Sequence, residues 1–197
     1  MDFSRWDVTA LADSWRSARP FPHVILDGLL APDELQTLRE EVARTPHFPN
    51  HAEFYEMMAS HEELGPAVTA FREALDGPGR ELFARVTGKT AARVSLRSYV
   101  YLAGSFLLPH NDLGTAELGR IVAWAYYLLP RERCEGGELE LFECALDGDE
   151  IVGAAPALRI EPVENRLVVF DVSPRSLHQV REVTSGGRVS LSGWFYQ

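Results

Sequence analysis

His110 and Asp112 stand two residues apart in FLLPHNDLG, where an apolar run meets a proline. In a strand, residues i and i+2 project to the same face, so an imidazole and a carboxylate at this spacing can grip one ion together. A solvated strand end, where polar residues are ordinary, explains an isolated H-x-D just as simply. His178 adds to the pair, because it sits in SPRSLHQVREV beside another apolar strand. Two imidazoles and one carboxylate form the facial donor set of non-haem Fe(II) oxygenases, which leaves three coordination positions open. A bidentate 2-oxo acid would take two of them and O2 the third.

Arg188 follows His178 by ten residues, in GGRVSLSGWF. Period-two alternation puts Arg188, Ser190, Ser192 and Trp194 on one face, with Val189, Leu191, Gly193 and Phe195 on the other. An arginine heading a face of an otherwise buried strand needs an anionic partner. A co-substrate carboxylate held by the guanidinium fork, with Ser190 beside it, would supply one. A salt bridge to a protein acid, or plain exposure at the strand start, is the competing explanation.

The elements that must position these residues fall into two parts. Up to about residue 90 the pattern is mainly helical. VTALADSWRSA has Val8, Leu11 and Trp15 at helical spacing, and APDELQTLREEVAR has Pro32 at its start, acids in its first turn and Leu35, Leu38 and Val42 on one face. HVILDGLL between them reads as a short strand. Residues 64–88 read as two helical pieces broken at Gly77-Pro78-Gly79. Residues 47–63, rich in His, Met and aromatics, read as a loop or short helix, and as a candidate mobile lid. From about residue 91 some eight short β-branched or aromatic segments bounded by Gly, Pro, Asn or Asp read as strands. With no helical pattern between them, they should pair mostly antiparallel. The expected fold is α+β: N-terminal helices packed on a β-barrel or jelly roll, one domain over residues 1–197, with no second domain following.

Bulk properties narrow the function. The chain has 197 residues, 46% apolar and 24% charged, which suits a soluble globular protein. Its 29 acidic residues against 19 basic ones give a net charge of -10. Nucleic acid is therefore not the expected partner, since phosphate contacts need Lys and Arg. The charged N-terminus does not read as a signal peptide and no stretch reads as a membrane span, so a cytoplasmic location is expected. Cys134 and Cys144 match no zinc spacing and read as reduced thiols, one disulfide being the other option. His47, His51 and His61 fit no metal template and read as surface or loop residues.

The order of the motifs carries a resemblance. Y-x-x-G (Tyr101 to Gly104), H-x-D, AWAYYLLP, GGELELF, NRLVVF, a second His, R-x-S and a terminal G-W-F succeed one another over about residues 93–197. This run resembles the prolyl 4-hydroxylase type of 2-oxoglutarate/Fe(II) dioxygenases, a double-stranded β-helix (jelly-roll) family. The opening RPFPHVILDGLLAPDELQTLREE resembles the branch that includes ribosomal-protein prolyl hydroxylases. The resemblance implies that His110, Asp112 and His178 hold iron and that Arg188 binds the distal carboxylate of 2-oxoglutarate. It implies that Tyr126, sixteen residues after His110, hydrogen-bonds that carboxylate, and that Tyr101 and Trp194 border the pocket. Gly136, Gly137 and Glu138 match an architectural turn. Leu107 stands where some relatives carry a tyrosine, so that co-substrate contact is expected to be missing. The second barrel-like domain common in the ribosomal-protein branch is not expected here. Asp112 argues for hydroxylation, because halogenating relatives carry Gly or Ala there.

The expected activity is hydroxylation of an unactivated C–H bond with succinate and CO2 as co-products, on a prolyl residue of a protein or peptide. The same chemistry on a free amino acid or natural-product scaffold is the alternative. A catalytically inactive jelly-roll binding protein and a cupin-type metalloenzyme are further readings. Fe(II), 2-oxoglutarate and O2 are the expected cofactors, with ascorbate as an optional reductant. No membrane partner is expected, and a homodimer stays open.

Overall fold

The computed structural model describes residues 1–61, 65–114, 119–128 and 134–197. The end of the 47–63 segment, the start of the 64–88 stretch and the tail of AWAYYLLP lie outside the described residues. Among the described residues there are four α-helices: α1 (Val8–Ser17), α2 (Pro32–Arg44), α3 (Pro66–Ala74) and α4 (Arg80–Thr87). None is long and apolar enough to cross a membrane.

The first three helices start where side chains supply acceptors for free amides. The Asp7 carboxylate accepts from the amides of Thr9 and Ala10 at 2.9 and 3.2 Å, capping α1. Pro32 opens α2, and the Glu34 carboxylate accepts from Ala31 N at 3.0 Å. The first amides of α3 are met from another helix, because Glu41 of α2 accepts from Ala67 N at 2.8 Å and Val68 N at 2.9 Å. Between α3 and α4 the chain kinks through Leu75–Gly79, where Gly77 leaves helical geometry. That is where the Gly-Pro-Gly sequence predicts a break.

Fourteen strands are described. They are β1 (His23–Asp27), β2 (His47–Ala52), β3 (Tyr55–Ser60), β4 (Arg93–Val94), β5 (Arg97–Leu102), β6 (Phe106–His110) and β7 (Arg120–Leu128). Then follow β8 (Glu135–Gly136), β9 (Leu139–Asp147), β10 (Glu150–Ile160), β11 (Arg166–Asp171), β12 (His178–Val180), β13 (Val183–Ser185) and β14 (Gly187–Tyr196). The main sheet runs β1-β11-β7-β14-β5-β3-β6-β12-β9-β10, with β2 on β3 and β4 on β14; β8 and β13 form a separate pair. Every recorded pairing is antiparallel. The sheet curls so that its two halves face each other across a core, the α+β jelly roll that the sequence predicts.

Two apolar layers hold it. Outside, Trp15, Leu38, Phe71 and Phe83 of the helices pack on Trp124, Tyr126, Val169 and Leu191 of the sheet. Inside, Ala123 and Tyr127 of β7 meet Leu139 and Leu141 of β9 and Phe170 of β11. Alternate residues of β7 thus serve opposite layers, as a strand buried on both faces requires.

The structure corrects the reading of residues 47–63. His47–Ser60 is a β-hairpin, not a loop or short helix, and β3 pairs with both β5 and β6. Pro and Asn are poor strand formers. Pairing with the sheet overrides that local preference.

His47 lies in this hairpin, with Nε2 2.8 Å from Ser98 Oγ. Burial lowers its pKa below the ordinary imidazole value, against a smaller opposing effect of the Thr45 backbone. The unfolded chain therefore takes up this proton at higher pH than the folded one, and stability falls as pH drops below about 6.5. We expect His47→Gln to flatten the melting-temperature profile between about pH 6.5 and 5 relative to wild type. Parallel profiles would refute the assignment.

Candidate active site

β6 and β12 are neighbours, and their register places His110 directly opposite His178. The ring centroids lie 4.3 Å apart. Each Nδ1 meets a backbone carbonyl two residues earlier: His110 to Leu108 O at 2.9 Å and His178 to Ser176 O at 2.8 Å. A carbonyl only accepts, so each Nδ1 must carry a proton, and Nε2 is the ring position that either gives a proton to Asp112 or, on losing it, offers a lone pair to a metal ion. Both Nε2 atoms face Asp112, at 3.3 Å from Oδ1 and 3.4 Å from Oδ2. One donor atom from each of the three residues falls within 4.8 Å of the others.

Asp112 reaches this place by a route that strand alternation does not describe. β6 ends at His110, and Asp112 lies beyond it with φ of 63°. This left-handed conformation is rare for non-glycine residues, though Asp tolerates it better than most. The turn brings the carboxylate back under both imidazoles. Burial alone would raise its pKa; hydrogen bonds and charge from His110 and His178 outweigh that and hold it far below the usual carboxylate range. Burial likewise opposes protonation of His110, but Asp112 wins and raises the His110 pKa. Arg120 adds a contact, with Nη1 3.8 Å from Asp112 Oδ1 and its guanidinium 3.8 Å over the Trp194 ring.

The triad opens on a cavity of about 740 Å³ that is also lined by Arg188, Ser190, Tyr101, Tyr127 and Leu107. Arg188 is 3% exposed, and its Nε and Nη1 have no hydrogen-bond partner. No described acid pairs with it. Its guanidinium lies 4.4 Å from the Tyr101 ring and 5.2 Å from the Tyr127 ring. Ser190 is buried two residues along the same face. A buried cation with two unused donors is costly unless an anion arrives. Donor set and anion slot therefore both fit a ferrous ion with a dicarboxylate co-substrate. Gly137 permits the approach, at φ of 74°, since a Cβ there would come 3.3 Å from Arg188 Cδ.

Of the residues singled out in the sequence, the structure brings His110, Asp112, His178, Arg188, Ser190, Tyr101 and Trp194 to one cavity. It does not bring Tyr126 there. Tyr126 pairs with Leu191 on the outer layer, and its hydroxyl donates to Asn165 Oδ1 at 2.8 Å. Asn165 in turn holds Leu30 N and O, at 2.8 and 2.9 Å. Tyr126 is thus a fold staple, and Tyr127, paired with Ser190, faces the cavity in its place. We expect Tyr127→Phe to raise KM for 2-oxoglutarate by about 5-fold, the worth of about 1 kcal/mol, with little change in melting temperature. Tyr126→Phe should do the reverse. Steady-state kinetics and thermal melts on the two variants check this. Arg120 and Tyr99 also line the cavity and were not singled out.

Residues 95–196 match the family model described as the 2OG-Fe(II) oxygenase superfamily. The chain is 32% identical over 191 residues to the Drosophila melanogaster prolyl 3-hydroxylase sudestada1, covering 90% of this chain and 34% of that protein. It is 30% identical to the mouse prolyl 3-hydroxylase OGFOD1, covering 94% of this chain and 37% of that protein. The chain thus spans about a third of the length of these curated relatives. A Pseudomonas putida prolyl-4-hydroxylase structure superposes with TM-score 0.76 at 21% identity, covering 97% of this chain and 99% of that one. A Trichoplax adhaerens prolyl hydroxylase in complex with a hypoxia inducible factor peptide superposes with TM-score 0.70 at 16% identity, covering 96% and 88%. These two likenesses show the fold. The family match spans the cavity strands from β5 to β14, and it is the finding that decides: the chain belongs to the 2OG-Fe(II) oxygenase superfamily, whose enzymes are dioxygenases using Fe(II), 2-oxoglutarate and O2.

Proposed function

We propose that this protein hydroxylates a prolyl residue within a protein or peptide. The observation that carries the substrate is the identity of about a third, over nine-tenths of the chain, with prolyl 3-hydroxylases. By the same support the ring carbon attacked is carbon 3. His110, Asp112 and His178 would hold the iron. Bound there, Fe(II) with 2-oxoglutarate and O2 supplies oxidation of a C–H bond, with succinate and CO2 as co-products.

The protein's own residues do the rest. The Leu108 and Ser176 carbonyls fix the two imidazole tautomers, so that the ligand nitrogens are ready without rearrangement. Arg188, with Ser190 and Tyr127 beside it, would take the far carboxylate of 2-oxoglutarate. Tyr101 stacks on the guanidinium, is itself fully buried, and keeps water from that end. Arg120 steadies Asp112 from the Trp194 side. Leu107 adds an apolar side chain to the cavity wall.

The test is a proline-containing peptide panel incubated with the protein, Fe(II) and 2-oxoglutarate, read by fragmentation mass spectrometry. The expected result is one added oxygen on proline, placed on carbon 3 by comparison with authentic hydroxyprolines. Oxidation of free amino acids with no peptide oxidation would replace this reading with the small-molecule one.

A further inference from the structure

The cavity has a second charged region beyond the triad. β14 presents Arg188, Ser190, Ser192 and Trp194 to the cavity in turn. At about 3.3 Å per residue, Trp194 lies about 20 Å along the strand from Arg188. Arg120, stacked on Trp194 and 3.8 Å from Asp112, connects the triad to the Trp194 end. Arg93 and Arg97, paired with Tyr196 and Ser192, lie toward that end with Arg120, and Arg72 lines the same cavity. Arg93 lies 3.7 Å over the Tyr196 ring, and Arg97 Nε donates to Ser60 O at 2.8 Å.

Among the described residues these guanidiniums have few counter-charges. Asp112 is the sole acid among the described lining residues, and bound iron would claim it. Among the described residues, Arg72, Arg93 and Arg97 make no ion pair. This concentration occurs in a chain with net charge -10, so the rest of the surface is strongly acidic. Stacking on Tyr196 and Trp194 holds two of the planes in place before any ligand arrives, so less ordering is needed on binding.

We propose that the cavity mouth recognises carboxylates flanking the target proline, so that the substrate is an acidic peptide segment. This rests on the prolyl reading above and narrows it. A nucleic acid fits less well: its phosphates need a basic track, and the acidic remainder of the chain would repel them. Attraction to the mouth should act only within about 10 Å at ordinary salt, so the acidic surface does not exclude a segment already at the mouth.

Three fluorescein-labelled peptides test it, each with one central proline and flanks of glutamate, glutamine or lysine. Binding to the full chain is read by fluorescence anisotropy. The glutamate peptide is expected to bind at least about 10-fold tighter than the glutamine peptide at low salt, with the advantage shrinking as salt rises. The double variant Arg72→Glu/Arg93→Glu should reverse the order in favour of lysine. The milder Arg72→Gln/Arg93→Gln should level it, and thermal melts of both show that they fold. Arg97 is spared because it anchors the β3 backbone. Equal binding of the glutamate and glutamine peptides overturns the proposal, as does an unchanged order in the folded variants or tighter binding of an oligothymidylate. Mass spectrometry on the same peptides separates the two readings. Oxidised proline with equal kcat/KM on all three sinks the acidic-segment inference alone. Charge-selective binding with no oxygen on proline sinks the prolyl reading alone.

Discussion

Replacing Asp112 with alanine is expected to weaken iron binding by more than about 100-fold and to remove succinate formation with it. Even a residue that only supports a metal ligand is commonly worth about 10- to 100-fold in affinity, and Asp112 supplies the one anionic donor of the triad. Without it two neutral imidazoles face a dication with no charge to balance it. The backbone complicates the reading, because position 112 is left-handed, with φ of 63°. Alanine there costs about 1 kcal/mol more than a residue at ease in that conformation. Asp112→Gly is free of that strain, so it should lose iron equally while melting close to the wild-type apoprotein. Metal content after dialysis and succinate release measure the first effect, and thermal melts the second. Retained turnover in Asp112→Gly would remove the triad from the account.

Arg188 should produce effects of opposite sign on stability and on binding. Its Nε and Nη1 are buried and unpartnered in the absence of an anion. Replacing a buried charge with an apolar side chain of similar size is often neutral or stabilising, by about 1–4 kcal/mol. Arg188→Met is therefore expected to melt at or above wild type without 2-oxoglutarate. The same change removes a charge-assisted carboxylate contact, a loss of about 2–5 kcal/mol and so of about 30-fold or more in affinity. KM for 2-oxoglutarate should rise by that factor while kcat at saturation changes much less, since the contact is made equally before and during reaction. Added 2-oxoglutarate should raise the wild-type melting temperature and leave that of the variant unmoved. Arg188→Lys should behave nearly as badly as methionine toward the co-substrate, because an ammonium cannot reproduce the guanidinium fork. A variant that is destabilised but keeps its KM would make Arg188 a structural cation instead.

The residues with chemistry were legible because their types are restrictive and their strands alternate. In β14 the alternation assigns Arg188, Ser190 and Trp194 to one face, and the cavity lining has all three. The same rule applied to AWAYYLL would have put Tyr126 and Tyr127 on opposite faces: Tyr127 lines the cavity, and Tyr126 does not. An offset counted from His110 put the tyrosine one place off, and in a strand one place is the opposite face. The His110–Asp112 pair is an instructive case. Its juxtaposition is real, yet it comes from a left-handed turn after the strand, which no periodicity encodes.

Two other features depend on tertiary structure. The β2–β3 hairpin has no strand-like composition and forms against β5 and β6. Arg72, Arg93, Arg97 and Arg120 are spread over nearly fifty residues, so the basic cavity mouth is invisible in a sequence that reads as acidic with its basic residues dispersed.

The most direct measurement uses O2 enriched in heavy oxygen, with the full chain, Fe(II), 2-oxoglutarate and a proline-containing peptide. The account predicts one heavy oxygen atom in the prolyl ring and one in succinate, formed in equal amounts and both lost in Asp112→Gly. Peptide oxidation that proceeds without 2-oxoglutarate, or that persists in Asp112→Gly, would contradict it.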